Sequence, residues 1–123
     1  MSNPHFVLLY VDSPKASADF YRALLEQEPV EASPTFVMFM LRPGLMLGLW
    51  SRHGVQPAPA GDAGSAELCF PAEAPAAVDA AHARWSALGV SILQAPVDME
   101  FGHTFVGLDP DGHRLRVFSP APA

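Results

Sequence analysis

Few side chains in this 123-residue sequence have chemistry to offer, and the segment TFVGLDPDGHRLRVFSP near its end holds the most telling one. Arg116 stands among Leu115, Val117 and Phe118, a cation in the middle of an apolar stretch. An unpaired charge in such a place is costly, so it needs water, an internal anion or a ligand. Glu67, in AELCF, is the candidate internal anion. A guanidinium fork suits any carboxylate, so pairing with Glu67 and gripping a ligand both stand as readings. Cys69 lies beside them but has no evident base, and a buried thiol without one is inert. His103 is a candidate ligand contact at the mouth of a pocket, His113 a turn residue, and His53 and His82 structural or solvated. No nucleophile is paired with a base, and no glycine-rich loop suited to phosphate is present.

The elements that must position these residues are written twice. TFVMFMLRPGLMLGLWS starts at Thr35 and TFVGLDPDGHRLRVFS at Thr104. Each runs through a Pro-containing turn ending in Gly (Gly44, Gly112), with an aromatic six residues past it (Trp50, Phe118) and a Ser one further on. Upstream of each lies an apolar strand, HFVLLYV or AELCF, and then a helix. Ser13 as N-cap and Pro14 at the first helical position open the first helix, with Phe20, Tyr21, Leu24 and Leu25 as its stripe. Pro75 opens the second, Val78, Ala81, His82, Trp85 and Leu88 line it, and Gly89 stops it. PVEAS and GVSILQ follow as third-strand candidates. The reading is an α+β fold of two βαβββ modules, residues 4–51 and 66–120, joined by a Pro/Gly/Ala-rich linker at 52–65 within a single domain, 1–123.

Strand alternation sorts residues by face. Val7, Leu9, Val11, Leu45, Leu47 and Leu49 face the first helix, while Phe6, Leu8, Tyr10, Met46, Gly48 and Trp50 face away. In the second module Leu68, Phe70, Leu115 and Val117 oppose Glu67, Cys69, Arg114, Arg116 and Phe118. The two modules are expected to bury their helix-side faces under the helices and to curve the other faces around a cleft, a homodimer building two such clefts from both chains. Arg116 and Gly48 are then equivalent, each four residues past the turn glycine. Trp50 serves equally as core packing or as a platform on which a flat aromatic ligand stacks. Phe6, Met46, Phe118 and Phe36 or Phe39 are company for the second role, and Met suits an adaptable pocket.

Bulk properties exclude several classes. The formal net charge is −6, which argues against nucleic acid, whose affinity comes mainly from Lys and Arg on phosphates. No apolar run approaches the roughly 18 residues of a membrane span. Half the residues are hydrophobic and 16% charged, the mark of a packed domain. One cysteine and the absence of a basic leader fit a cytoplasmic location.

The doubled βαβββ pattern, YVDSPKASADFYRALLEQEPV and FGHTFVGLDPDGHRLRVF together resemble the vicinal oxygen chelate superfamily, over nearly the whole chain. That group includes glyoxalase I, extradiol dioxygenases, fosfomycin-modifying enzymes and bleomycin-binding proteins. The resemblance implies metal-ligand positions on the first and last strand of each module, which fall on Phe6, Gly48, Glu67 and Arg116. Only Glu67 could coordinate a metal there, so neither a metal nor another cofactor is expected; His5 is one residue out of register. Likeness to members that bind phenazines implies a metal-free homodimer. It would sequester a planar aromatic antibiotic through Trp50, Phe6, Met46, Phe118, Arg116, Glu67, His103 and Phe36. The rival readings are a metal-dependent lyase or dioxygenase and a sensor or accessory module.

Overall fold

The computed structural model describes residues 3–122. They form an α+β fold in two compact units that divide after Gly61, with one four-stranded mixed sheet and one α-helix in each and a short 3-10 turn, Ala63–Ser65, opening the second.

The first unit runs β1 (Phe6–Val11), α1 (Pro14–Leu25), β2 (Glu31–Ala32), β3 (Phe36–Arg42) and β4 (Leu45–Ser51). Its strand order is β1-β4-β3-β2, with β1 parallel to β4 and the other pairs antiparallel. The Ser13 side chain accepts from the Ala16 N–H at 3.1 Å, and Pro14 occupies the first turn, where its missing N–H costs nothing. The helix ends on Glu26 in the left-handed conformation, φ 54°. Its buried face is Pro14, Ser17, Ala18, Tyr21 and Leu24; of the expected stripe Tyr21 and Leu24 are buried, while Phe20 and Leu25 flank it half-buried. This face meets Val11, Val37, Phe39, Leu47 and Leu49, all buried; each such side chain removed from water contributes about 1.5–3 kcal/mol.

The second unit repeats the order as β5 (Glu67–Pro71), α2 (Pro75–Ala87), β6 (Ser91–Met99), β7 (Gly102–Leu108) and β8 (Arg114–Pro120). The sheet order is β5-β8-β7-β6, again with one parallel pair, β5 with β8. Trp85 is core, its ring edge-on to Phe70 at 5.6 Å and to Phe105 at 5.1 Å. Gly89 has φ 86°, the left-handed stop expected of it. Leu88, placed on the buried stripe by its spacing, is exposed because the helix has already ended before it. β6 continues past Gln94 to Met99 through two register shifts, which bend the strand and let it carry Pro96.

The two Thr-Phe-Val triplets are not equivalent. Phe36 pairs with Trp50, whereas Thr104 pairs with Phe118. Thr35 stands nine residues before Gly44 and Thr104 eight before Gly112, and a difference of one reverses the face. Phe105 therefore packs into the helix-side core while Phe36 lies on the opposite face.

Candidate functional site

In the first unit β1, β4 and β3 turn an apolar face away from α1, and Glu31 of β2, opposite Met38, adds a carboxylate at its edge. Phe6, Leu8 and Tyr10 of β1 pair with Met46, Gly48 and Trp50 of β4, which pair in turn with Met40, Met38 and Phe36 of β3. An open pocket of about 430 Å³ on this face is lined by Phe6, Leu8, Phe36 and Trp50. Trp50 is half-buried and meets the Tyr10 ring edge-on, centroids 6.3 Å apart. Three of the expected residues are thus brought together. Met46 shares the face without lining the pocket, and Leu8, which alternation put there, joins the lining. Gly48 is buried beneath Leu8 and Phe36. A Cβ at that position would lie 2.6 Å from Leu8 Cδ2 and 2.9 Å from two Phe36 ring atoms, so the ring occupies the space a side chain would need.

In the second unit the corresponding face carries charge. Arg116 donates from Nε to Glu67 Oε1 at 2.8 Å and from Nη2 to Glu67 Oε2 at 3.0 Å, a bidentate fork. Its Nη1 donates to Thr104 Oγ1 at 3.2 Å and to Gln94 Oε1 at 3.4 Å. The guanidinium carbon lies 5.6 Å from the centroid of the Phe101 ring, which is edge-on to Phe118 at 6.4 Å. The hydrogen bond from Arg116 holds the Glu67 carboxyl below its usual range, against the opposing effect of burial. Cys69 is exposed rather than buried as expected, and desolvation, then the Glu67 charge, push its thiol up from the usual cysteine range. The internal pairing is the reading realised here. Phe101 escaped sequence reasoning because it lies in the tight β6–β7 connection; the signal was an aromatic directly before Gly102.

His103 is not where a ligand contact belongs. It pairs with Ser119, in phase with the buried Phe105 and Val117, and so points to the helix side of its sheet. There its Nδ1 meets Asp98 Oδ1 at 2.7 Å and its Nε2 meets Asp79 Oδ1 at 2.8 Å, tying β7 to β6 and to α2. The two carboxylates, Asp79 foremost, raise its pKa above 6.5. A group whose folded pKa is raised contributes stability that is complete below the unfolded value and is lost as pH climbs through the folded one. Thermal stability should therefore decline as pH rises above about 6.5, the unperturbed histidine value, and His103→Gln should flatten that part of the profile in melts between about pH 5 and 9. His113 is a turn residue: Asp109 accepts from the N–H groups of Asp111 and His113 at 2.9 Å each and faces His113 Nδ1 at 2.8 Å.

This two-module architecture, with its paired βαβββ units, is that of the Glyoxalase/Bleomycin resistance protein/Dioxygenase superfamily, whose sequence profile matches residues 3–117; the chain belongs to that superfamily. It is 31% identical over 117 residues to the phenazine antibiotic resistance protein EhpR of Enterobacter agglomerans, a match covering 93% of this chain and 89% of that one. A protein of Agrobacterium tumefaciens solved by solution NMR is 53% identical, with a TM-score of 0.90, covering 99% of this chain and all of the other. Lactoylglutathione lyase of Agrobacterium tumefaciens is 25% identical with a TM-score of 0.75, over 97% of this chain and 94% of that one. The superfamily thus holds both enzymes and resistance proteins. Among the described residues no helix is long and apolar enough to cross a membrane.

The residues at the superfamily's ligand positions do not fit a metal ion. Phe6 has no donor atom, Gly48 has no side chain and is roofed by Phe36, and Arg116 is a fixed cation that already engages Glu67. One carboxylate is left where catalytic zinc takes about three protein ligands.

Proposed function

We propose that the chain binds a planar aromatic antibiotic of the phenazine type and sequesters it without metal chemistry. The observation that carries this reading is the pocket lined by Phe6, Leu8, Phe36 and Trp50, whose walls are apolar and largely aromatic. Such a wall takes up flat apolar area and stacks on it, which needs neither a nucleophile nor a metal. The named resistance function of EhpR, a relative of nearly the same length, supports the choice of ligand class. The homodimeric state expected for this type of binder is part of the same proposal.

Titration with phenazine followed by calorimetry and by tryptophan fluorescence tests the reading. Saturable binding is expected, with the phenazine recovered unchanged and with affinity indifferent to EDTA. The proposal fails if phenazine does not saturate a site, or if the ligand is converted once a divalent ion is supplied.

A further inference from the structure

The second unit contains a complete receptor for a carboxylate, and that receptor is already filled. The fork of Arg116 is engaged in a two-point contact by Glu67 Oε1 and Oε2 at 2.8 and 3.0 Å, the pattern in which a guanidinium takes a ligand carboxylate. Its Nη1 is held by Thr104 and Gln94, so four hydrogen bonds fix the plane of the group. Phe101 covers it at 5.6 Å, and Phe118 stands edge-on to Phe101, giving the receptor an aromatic flank. A guanidinium has five N–H donors, and this one has little left to offer a newcomer.

Glu67 is well placed to keep the receptor shut. It lies on β5, the strand hydrogen-bonded to the β8 strand of Arg116, with Glu67 opposite Arg114 and Cys69 opposite Arg116. An acid fixed on a neighbouring strand competes at a high effective concentration, because little freedom is lost when it engages. The side chains of Arg116 and Glu67 are 16% and 27% exposed, so the pair is within reach of a small ligand without being dissolved in water. Arg114, the other cation near Glu67, adds to its hold on the strand pair.

We infer that Glu67 is a tethered competitor which occupies the carboxylate receptor of Arg116 and so closes this face of the second unit to aromatic acids. This goes beyond the reading of the chain as a binder of flat aromatic molecules and concerns the second unit alone. The two stand on different residues and fail separately.

The test uses the full chain and follows the Arg116 Nε–H resonance by two-dimensional NMR during titration with 1-naphthoate and, as the uncharged control, 1-naphthalenemethanol. In the wild-type chain the resonance should stay put with either compound. In Glu67→Ala it should move saturably with naphthoate alone, the dissociation constant falling by about tenfold or more, the scale of a charge-assisted hydrogen bond. Glu67→Gln, which keeps a neutral acceptor on the fork, should gain less in the same direction, and it serves if the alanine variant fails to fold. Equal naphthoate affinity in the wild type and both variants overturns the inference, as does an Arg116 resonance unmoved in both variants. Phenazine binding by the wild-type chain, measured separately, decides the underlying function whatever Arg116 does.

Discussion

Trp50→Ala is expected to weaken phenazine binding by about 30-fold or more, corresponding to ~2 kcal/mol or above, the range of a central aromatic anchor. Trp50 is the largest wall of the pocket, flanked across the sheet by Phe36 on β3 and Tyr10 on β1. Its indole is half-buried in the free chain, so a ligand stacked on it removes apolar area that the protein itself leaves wet. Offset stacking adds about 0.5–1.5 kcal/mol to that burial. Calorimetry is the proper readout, since the variant loses one of its two tryptophans. Trp85→Phe is the matched control. That residue is 4% exposed in the helix-side core of the second unit, so the change should lower the melting temperature and leave the phenazine affinity alone. A Trp50→Ala dissociation constant within about threefold of wild type would remove stacking on Trp50 from the account.

Gly102→Ala should be the most damaging of the glycine-to-alanine changes, at about 3 kcal/mol, or roughly 10 °C in melting temperature. Gly102 begins β7 with φ 146°, a conformation that side chains avoid. A Cβ there would collide with the Ser119 carbonyl oxygen and come within 2.9 Å of the Ala121 nitrogen, and neither backbone atom can swing aside. The collision would push the end of β8 off β7, where the Phe101 carbonyl accepts from the Ala121 N–H at 2.8 Å and His103 pairs with Ser119. Gly112→Ala separates the causes. Its φ is also positive, 88°, but nothing lies within 4 Å of its missing Cβ, so only the conformational cost of about 1 kcal/mol applies. Equal melting temperatures for the two variants would show that contact with β8 is not what makes Gly102 necessary.

Much of this architecture was legible in the sequence because it rests on short-range rules. Ser13-Pro14 and Gly89 mark helix ends by local chemistry, and period-two alternation put Phe6, Leu8, Trp50 and Arg116 on the correct faces. What could not be read was anything that turns on a single residue of register. The repeated Thr-Phe-Val suggested that Phe36 and Phe105 correspond, yet one residue of offset sends them to opposite faces. The same parity decides His103, whose role follows from Asp79, 24 positions away on α2. The expectation for Glu67 and Arg116 was divided, since sequence gives two partners of opposite charge and no distance between them. Phe101 was missed for want of a pattern, standing in a connection where neither alternation nor helical spacing applies.

The packing of Phe36 over Gly48 also bears on how such a chain can change over generations. Any side chain acquired at position 48 alone meets the Phe36 ring and Leu8 before it can do anything new. Loss of the Phe36 ring alone removes a pocket wall and leaves a hole above a glycine. The two positions are therefore coupled, and the effect of a change at either depends on which residue stands at the other.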